Sequence, residues 1–242
     1  MKKIIYILSI TFLILQSCSS GGDDNANNSS SDILIKEYSN SNGEYAMFFY
    51  IGNKIKKIDN TDGSYAIFSY TNDLITQMSE YSNTGTLLTI QNYYYLNDNL
   101  VQTKTFENGI LRYQEDLVYN SNGMITITES SYVSGNQNFN TTYKMYFSNG
   151  NCIKIEDSGH TALYSYDTKN SPFKGITGFS KLIRLGDLIV TSNNPITIIN
   201  PIYSNSTNTI NYSYQYNSQN YPTLITSSQS GIPNSTTSFS YY

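Results

Sequence analysis

Ile51 to Met78 read IGNKIKKIDNTDGSYAIFSYTNDLITQM. A Gly52-Asn53 turn leads into a strand-like run around Ile55, and Asp62-Gly63 makes a second turn. Phe68-Ser69-Tyr70 then forms an aromatic strand, followed by turn residues Asn72-Asp73 and an apolar return at Ile75. Asn, Asp and Gly accept positive φ and suit tight hairpins. Side chains alternate faces along a strand. Phe68 and Tyr70 therefore share one face, and Ser69 takes the other. The segment predicts a β-hairpin with one aromatic, buried face.

The same unit recurs along the chain, and such self-similarity governs how the rest is read. Its copies are Phe48-Phe49-Tyr50, Phe68-Ser69-Tyr70, Tyr93-Tyr94-Tyr95, Leu117-Val118-Tyr119, Met145-Tyr146-Phe147, Tyr164-Ser165-Tyr166, Tyr214-Gln215-Tyr216 and Phe239-Ser240-Tyr241. The outer two positions stay large, while the middle one varies from Phe to Gln. An apolar residue returns five positions after the anchor at Ile55, Ile75, Leu100, Met124, Cys152 and Tyr221. Anchor spacings run 20, 25, 24, 28, 19, 50 and 25. The doubled spacing predicts a hidden or replaced copy between Tyr166 and Tyr216, with Leu188-Ile189-Val190 as its degenerate form. GFSKLIRL, 178–185, is the best candidate for a short helix. Eight or nine hairpins imply roughly 14 to 18 strands joined in an antiparallel meander. The fold class is thus all-β. The sheet is strongly curved or closed into a barrel, because closure removes the exposed edges of an open sheet this large.

Composition agrees and excludes other classes. Of 242 residues, 14% are aromatic and 13% charged, with 24 Tyr, 10 Phe and no Trp. Few charges with many Tyr, Asn, Ser and Thr favour strands and turns over helices. The formal charge of −4 and a pI near 4.9 argue against nucleic acid as a partner, since such binding needs a clustered basic surface. One His and two Cys exclude a zinc-finger array and a multi-disulfide scaffold.

The N-terminus reads as an address. Lys2 and Lys3 precede a twelve-residue apolar run, Ile4 to Leu15. The run is too short for a membrane-spanning helix, which needs about 20 residues, and suits a signal-peptide core. It ends at Leu15-Gln16-Ser17-Cys18, which resembles a bacterial lipobox, with Gln16 departing from the usual small residue. Residues 1–17 are the expected signal peptide and Cys18 the expected lipidated residue. Residues 18–31 form a Ser/Gly/Asp/Asn linker with a reach of roughly 20 Å, and 32–242 a single β-meander domain. Asp23-Asp24, shortly after Cys18, resemble the surface-export signal of Bacteroidota lipoproteins.

Two segments carry a further resemblance. Ile51 to Met78 looks like a YD/RHS-type repeat. YSYDTKNSPFKGITGFSKL, from Tyr164 to Leu182, and the ending YSYQYNSQNYPTLI…SFSYY are more specific. With the lipobox they resemble a family of Bacteroidota surface lipoproteins of unknown function that has a porin-like meander fold, over about residues 32–242. The resemblance implies an outer-membrane, lipid-anchored protein facing the cell exterior, with the membrane as partner through its anchor. That family carries no assigned catalytic residues. A membrane barrel needs lipid-facing apolar residues at alternate positions of nearly every strand. Ser69, Ser165, Gln215, Ser240, Lys54, Lys56, Lys154 and Glu156 do not supply them, so a porin-like but soluble, anchored sheet is expected.

Chemistry is sparse in the sequence. His160 is the single histidine, and no G-x-S-x-G accompanies it. Cys152 stands where other copies carry Ile or Leu and reads as a small buried hydrophobe. Asp59-Asn60-Thr61-Asp62-Gly63 departs from calcium-loop spacing and reads as a hairpin turn. Glu115-Asp116 and Glu156-Asp157 are the acidic pairs open to a carboxylate-dependent glycan hydrolase, the alternative function, but sequence neighbours on a strand face opposite ways. Nothing calls for a cofactor or metal. Tyr93-Tyr94-Tyr95 places rings on both faces and is the candidate ligand-stacking site, for a glycan or an envelope protein. The expected role is non-catalytic binding or structure at the envelope.

Overall fold

The computed structural model describes residues 33–186, 188–200 and 209–242. The expected signal peptide, Cys18 and the linker lie outside these residues.

The strands run in chain order as β1 (Ile35–Asn40), β2 (Tyr45–Ile51), β3 (Lys54–Asn60), β4 (Tyr65–Thr71), β5 (Leu74–Tyr81) and β6 (Leu87–Leu96). Then come β7 (Asn99–Glu107), β8 (Ile110–Tyr119), β9 (Met124–Val133), β10 (Asn136–Ser148), β11 (Asn151–Asp157) and β12 (His160–Tyr166). A two-residue pair, β13 (Arg184–Leu185) and β14 (Leu188–Ile189), precedes β15 (Pro195–Ile199), β16 (Thr209–Tyr216), β17 (Pro222–Gln229) and β18 (Ile232–Tyr241). All except β13 and β14 form one antiparallel barrel, closed where β1 meets β18. Each of the eight aromatic copies is one even-numbered strand of that barrel. The architecture is the all-β meander that the repeat predicts.

The buried face is the inner one. Phe48, Phe68, Tyr93, Leu117 and Met145 are each at most 6% exposed and join one core with Ile35, Ile55, Ile75 and Leu100. Burying such a side chain contributes about 1.5–3 kcal/mol. The middle residues point out: Phe49, Ser69, Tyr94, Val118 and Gln215 lie on the outer wall. Near the turn, a β-bulge lets the anchor face its partner on the returning strand, as in Tyr50↔Ile55, Tyr70↔Ile75 and Tyr95↔Leu100. Two turns are one residue longer. There the inward partners are Ile125 and Pro222 rather than the five-spaced Met124 and Tyr221.

The recurrence of Tyr has a physical cause. At the bulged ends, adjacent hairpins no longer share a ladder, and tyrosine hydroxyls supply the missing bonds. Tyr50 OH donates to the Ile35 carbonyl (2.8 Å), Tyr95 to Ile75 (2.8 Å), Tyr166 to Cys152 (2.7 Å) and Tyr241 to Pro222 (2.7 Å). Tyr70 OH accepts from the Ile55 amide (3.1 Å). A buried carbonyl without a donor would cost about 1–3 kcal/mol.

The doubled spacing has another origin than a hidden copy. β12 pairs directly with β15, so no strand is missing from the barrel. The 28 residues between Tyr166 and Pro195 are instead inserted at a turn and fold back over the barrel mouth. Leu188-Ile189 is not a barrel strand, for it pairs with Arg184-Leu185. The expected helix over 178–185 shrinks to a single 3-10 turn, Phe179–Lys181. Its periodic apolar residues serve to seat the insert: Phe179 and Leu182 are buried in the barrel core, and Phe179 stacks on Phe173 at 5.0 Å. Sixteen strands enclose more space than wall side chains can fill, and this cap fills it from one end.

Turns around that end hold the cap. The Thr177 amide donates to the Asn53 carbonyl (2.9 Å), Asn170 to Asn220 (3.0 Å) and Ser192 to Gly150 (3.0 Å). Gly178 has φ +76°, and a Cβ there would collide with the Asp73 carbonyl oxygen. Only glycine combines that backbone with so close an approach.

Candidate functional site

β13 carries Arg184 into the barrel, where β8 and β9 present Glu115 and Glu129 as a direct cross-strand pair. Both carboxylates occupy the inner face, two residues from the core pair Leu117↔Ile127. The Arg184 guanidinium binds Glu115 and lies 3.2 Å from Glu129 Oε2. Glu115 is buried, and it also accepts from Thr103 Oγ1 at 2.9 Å and from Tyr143 OH at 3.4 Å. The Tyr143 ring centroid is 5.7 Å from the guanidinium carbon. Two carboxylates facing each other repel; one arginine between them removes that cost and ties the cap to the wall.

This geometry bears on hydrolysis. A glycosidase pair needs one carboxyl held protonated as the acid. Here Arg184 occupies the space between the two carboxylates. The arrangement stitches wall to cap. Sequence reading singled out Glu115 but missed Glu129 and Arg184. Register over fourteen residues joins the first to Glu115, and the cap joins the second.

The other acidic neighbours split as alternation requires. Asp116 faces outward and accepts from Gln102 Nε2 (2.6 Å) and Gln114 Nε2 (2.7 Å). Glu156, also outward, accepts from Lys154 Nζ (2.8 Å) and Tyr146 OH (2.6 Å), and the Lys154 bond holds its carboxyl below the usual range. Asp157 faces in, paired across the strands with His160, whose Nδ1 is buried without a partner among the described residues. Cys152 is fully buried, and burial pushes its thiol up to about 12. Such a thiol supplies no thiolate nucleophile near neutral pH. Asp59 to Gly63 end β3 and make the turn into β4, with the Ser64 amide bonded to Asp62 Oδ1 at 2.8 Å.

The three consecutive tyrosines do not share a surface. Tyr93 is wholly inside, with its hydroxyl on Gln91 Oε1 (2.9 Å), and Tyr95 spans to Ile75. Tyr94 alone faces outward, 42% exposed, with Lys104 Nζ 5.6 Å from its ring centroid.

The outer wall is mixed: Phe49, Val118, Leu163 and Ile199 are exposed on it beside polar and charged pairs. Gln77 bonds Asn92 (3.0 Å), Lys57 pairs with Asp59 (2.6 Å), and Lys154 sits 3.8 Å from the Tyr146 ring centroid. A charge on a lipid-facing strand at the bilayer midplane costs about 2–4 kcal/mol. This wall carries several, paired laterally as on a water-facing sheet. No helix among the described residues is long and apolar enough to cross a membrane.

A solved structure shares this architecture. A porin-like protein from Bacteroides vulgatus ATCC 8482 superposes with a TM-score of 0.56 at 14% identity, over 86% of this chain and 99% of that one. The fold is that of a porin-like barrel. A porin-like protein from Bacteroides uniformis ATCC 8492 matches at 12% identity and a TM-score of 0.41, over 82% of this chain and 77% of that one. No protein-family model matches the chain, and no curated protein matches it.

Proposed function

We propose that this chain is a lipoprotein of the outer membrane, anchored through Cys18 and facing the cell exterior, with a non-catalytic binding or structural role at the envelope. One observation carries the reading: the barrel is stoppered by its own chain and bears charged pairs on its outer wall. A conducting porin needs the reverse, an apolar belt around an open lumen. The lipobox-like Leu15 to Cys18 supplies an anchor that the wall does not. Two acyl chains suffice for stable anchoring. The porin-like neighbour lends the fold. Tyr94 beside Lys104 is the outward ring left for stacking on a glycan or an envelope protein.

Fractionation of cells tests the anchor. Cys18→Ala is expected to leave the outer-membrane fraction, and unchanged retention there refutes the reading. A glycan array run beside a reducing-sugar release assay tests the role. Sugar release by the purified protein would overturn the non-catalytic assignment.

A further inference from the structure

We propose that the capped end of the barrel rests on a membrane surface carrying anionic lipid headgroups, with the opposite rim directed away. The proposal rests on the lipid-anchoring reading and adds which face meets the bilayer.

The chain enters the barrel at the capped end. The Tyr242 amide donates to the Leu34 carbonyl (2.9 Å), beside the start of β1, and the turn after β2 lies at the same end and binds the cap. Fourteen residues separate Cys18 from Ile33. Such a Gly/Ser/Asn chain has an r.m.s. reach of roughly 20 Å, short enough to keep this end near its anchor. Four apolar side chains surround it on the outside: Ile51 is 69% exposed, Leu96 63%, Val118 59% and Tyr242 62%. Exposed side chains of this size next to an anchor are suited to the headgroup boundary.

Charge separates the two ends. Exposed Lys36, Lys56, Lys174 and Lys181 lie at the capped end. Two of its carboxylates are engaged, Asp73 by Lys54 (3.0 Å) and Asp167 by Tyr216 and Asn194. Glu37 and Asp98 complete the described acids there. The opposite rim carries Glu44, Asp59, Asp62, Glu107 and Asp157, against which Lys57 and Arg112 are the paired cations. That rim also exposes Leu87, Leu88, Ile110, Val133, Phe139 and Ile232, so charge and not apolar area tells the ends apart: these lie among carboxylates that an anionic surface repels.

The protein has no tryptophan, so a single one can report position. Ile51→Trp, Leu96→Trp and Ile232→Trp replace exposed residues and leave the core intact. Each lipidated full chain is reconstituted into phosphatidylethanolamine–phosphatidylglycerol vesicles with brominated acyl chains. Expected is co-flotation of all three, with quenched and blue-shifted emission at 51 and 96 and unquenched emission at 232. Co-flotation without quenching at 51 and 96, or with equal quenching at 232, overturns the docking and leaves the anchor standing. Failure to co-float overturns both. Quenching undiminished in pure phosphatidylcholine overturns the anionic headgroup.

Discussion

Tyrosine serves two purposes in most of the repeats, and phenylalanine, which replaces it at Phe147, can serve only one. The ring fills the inner face, while the hydroxyl bonds a backbone group that the bulge has freed. Tyr95→Phe keeps the ring and orphans the Ile75 carbonyl. It is expected to cost about 1 kcal/mol, read as a shift in urea midpoint. Phe68→Ala removes a ring 1% exposed and is expected to cost about 3–5 kcal/mol by the same measurement. Equal losses would mean that the hydroxyls carry the packing. Sequence alternation already placed Tyr93 and Tyr95 inside and Tyr94 outside. The hydroxyl partners were not legible, because each lies in the preceding hairpin, 14 to 20 residues back. Glu129 escaped for the same reason, since strand register rather than proximity in the chain sets it against Glu115.

At the scale of elements, the cap is held by one glycine and one arginine. Gly178→Ala forces a collision with the β4–β5 turn, whereas Gly109→Ala strains only its own positive φ in open space. Thermal denaturation should show the first change to be the more damaging by several degrees, given that about 1 kcal/mol moves the midpoint of a chain this long by roughly 2–4 °C. Arg184→Ala leaves Glu115 and Glu129 face to face and is expected to cost about 2–4 kcal/mol, less than a fully buried pair because Glu129 keeps some solvent. Adding Glu115→Gln should recover part of that loss, and simple additivity would show the pair to be uncoupled. The hairpins were legible because turn formers and apolar returns repeat together. The cap was not. In GFSKLIRL the apolar spacing fits a helix, yet those residues are spaced to fill a mouth, and the chain instead makes one 3-10 turn and a two-residue bridge.

For the whole molecule, the inner tyrosines make alkali the weak side. Burial raises the ionisation of Tyr50, Tyr95, Tyr166, Tyr214 and Tyr241 above the ordinary 10.0 and brings Tyr70 to about 12. The unfolded chain therefore loses these protons first. The stability they contribute is complete below pH 10 and falls as pH climbs from 10 towards 12. Absorbance at 295 nm should show a cooperative ionisation step coincident with loss of circular dichroism, not independent titrations near 10. The stoppered lumen makes a second expectation. Purified protein added to a planar bilayer should produce no steady conductance, and stepwise openings of porin size would show that the cap leaves the mouth. The ring also has a seam, where Ser39 and Ser238 meet at 2.8 Å although 199 positions separate them. A polypeptide made from its N-terminus must therefore hold its opening strand unmatched until the final ten residues emerge. Every partly made copy bears two raw sheet margins ready to pair with a neighbour, so completion of the last strand is what removes the hazard of misassembly.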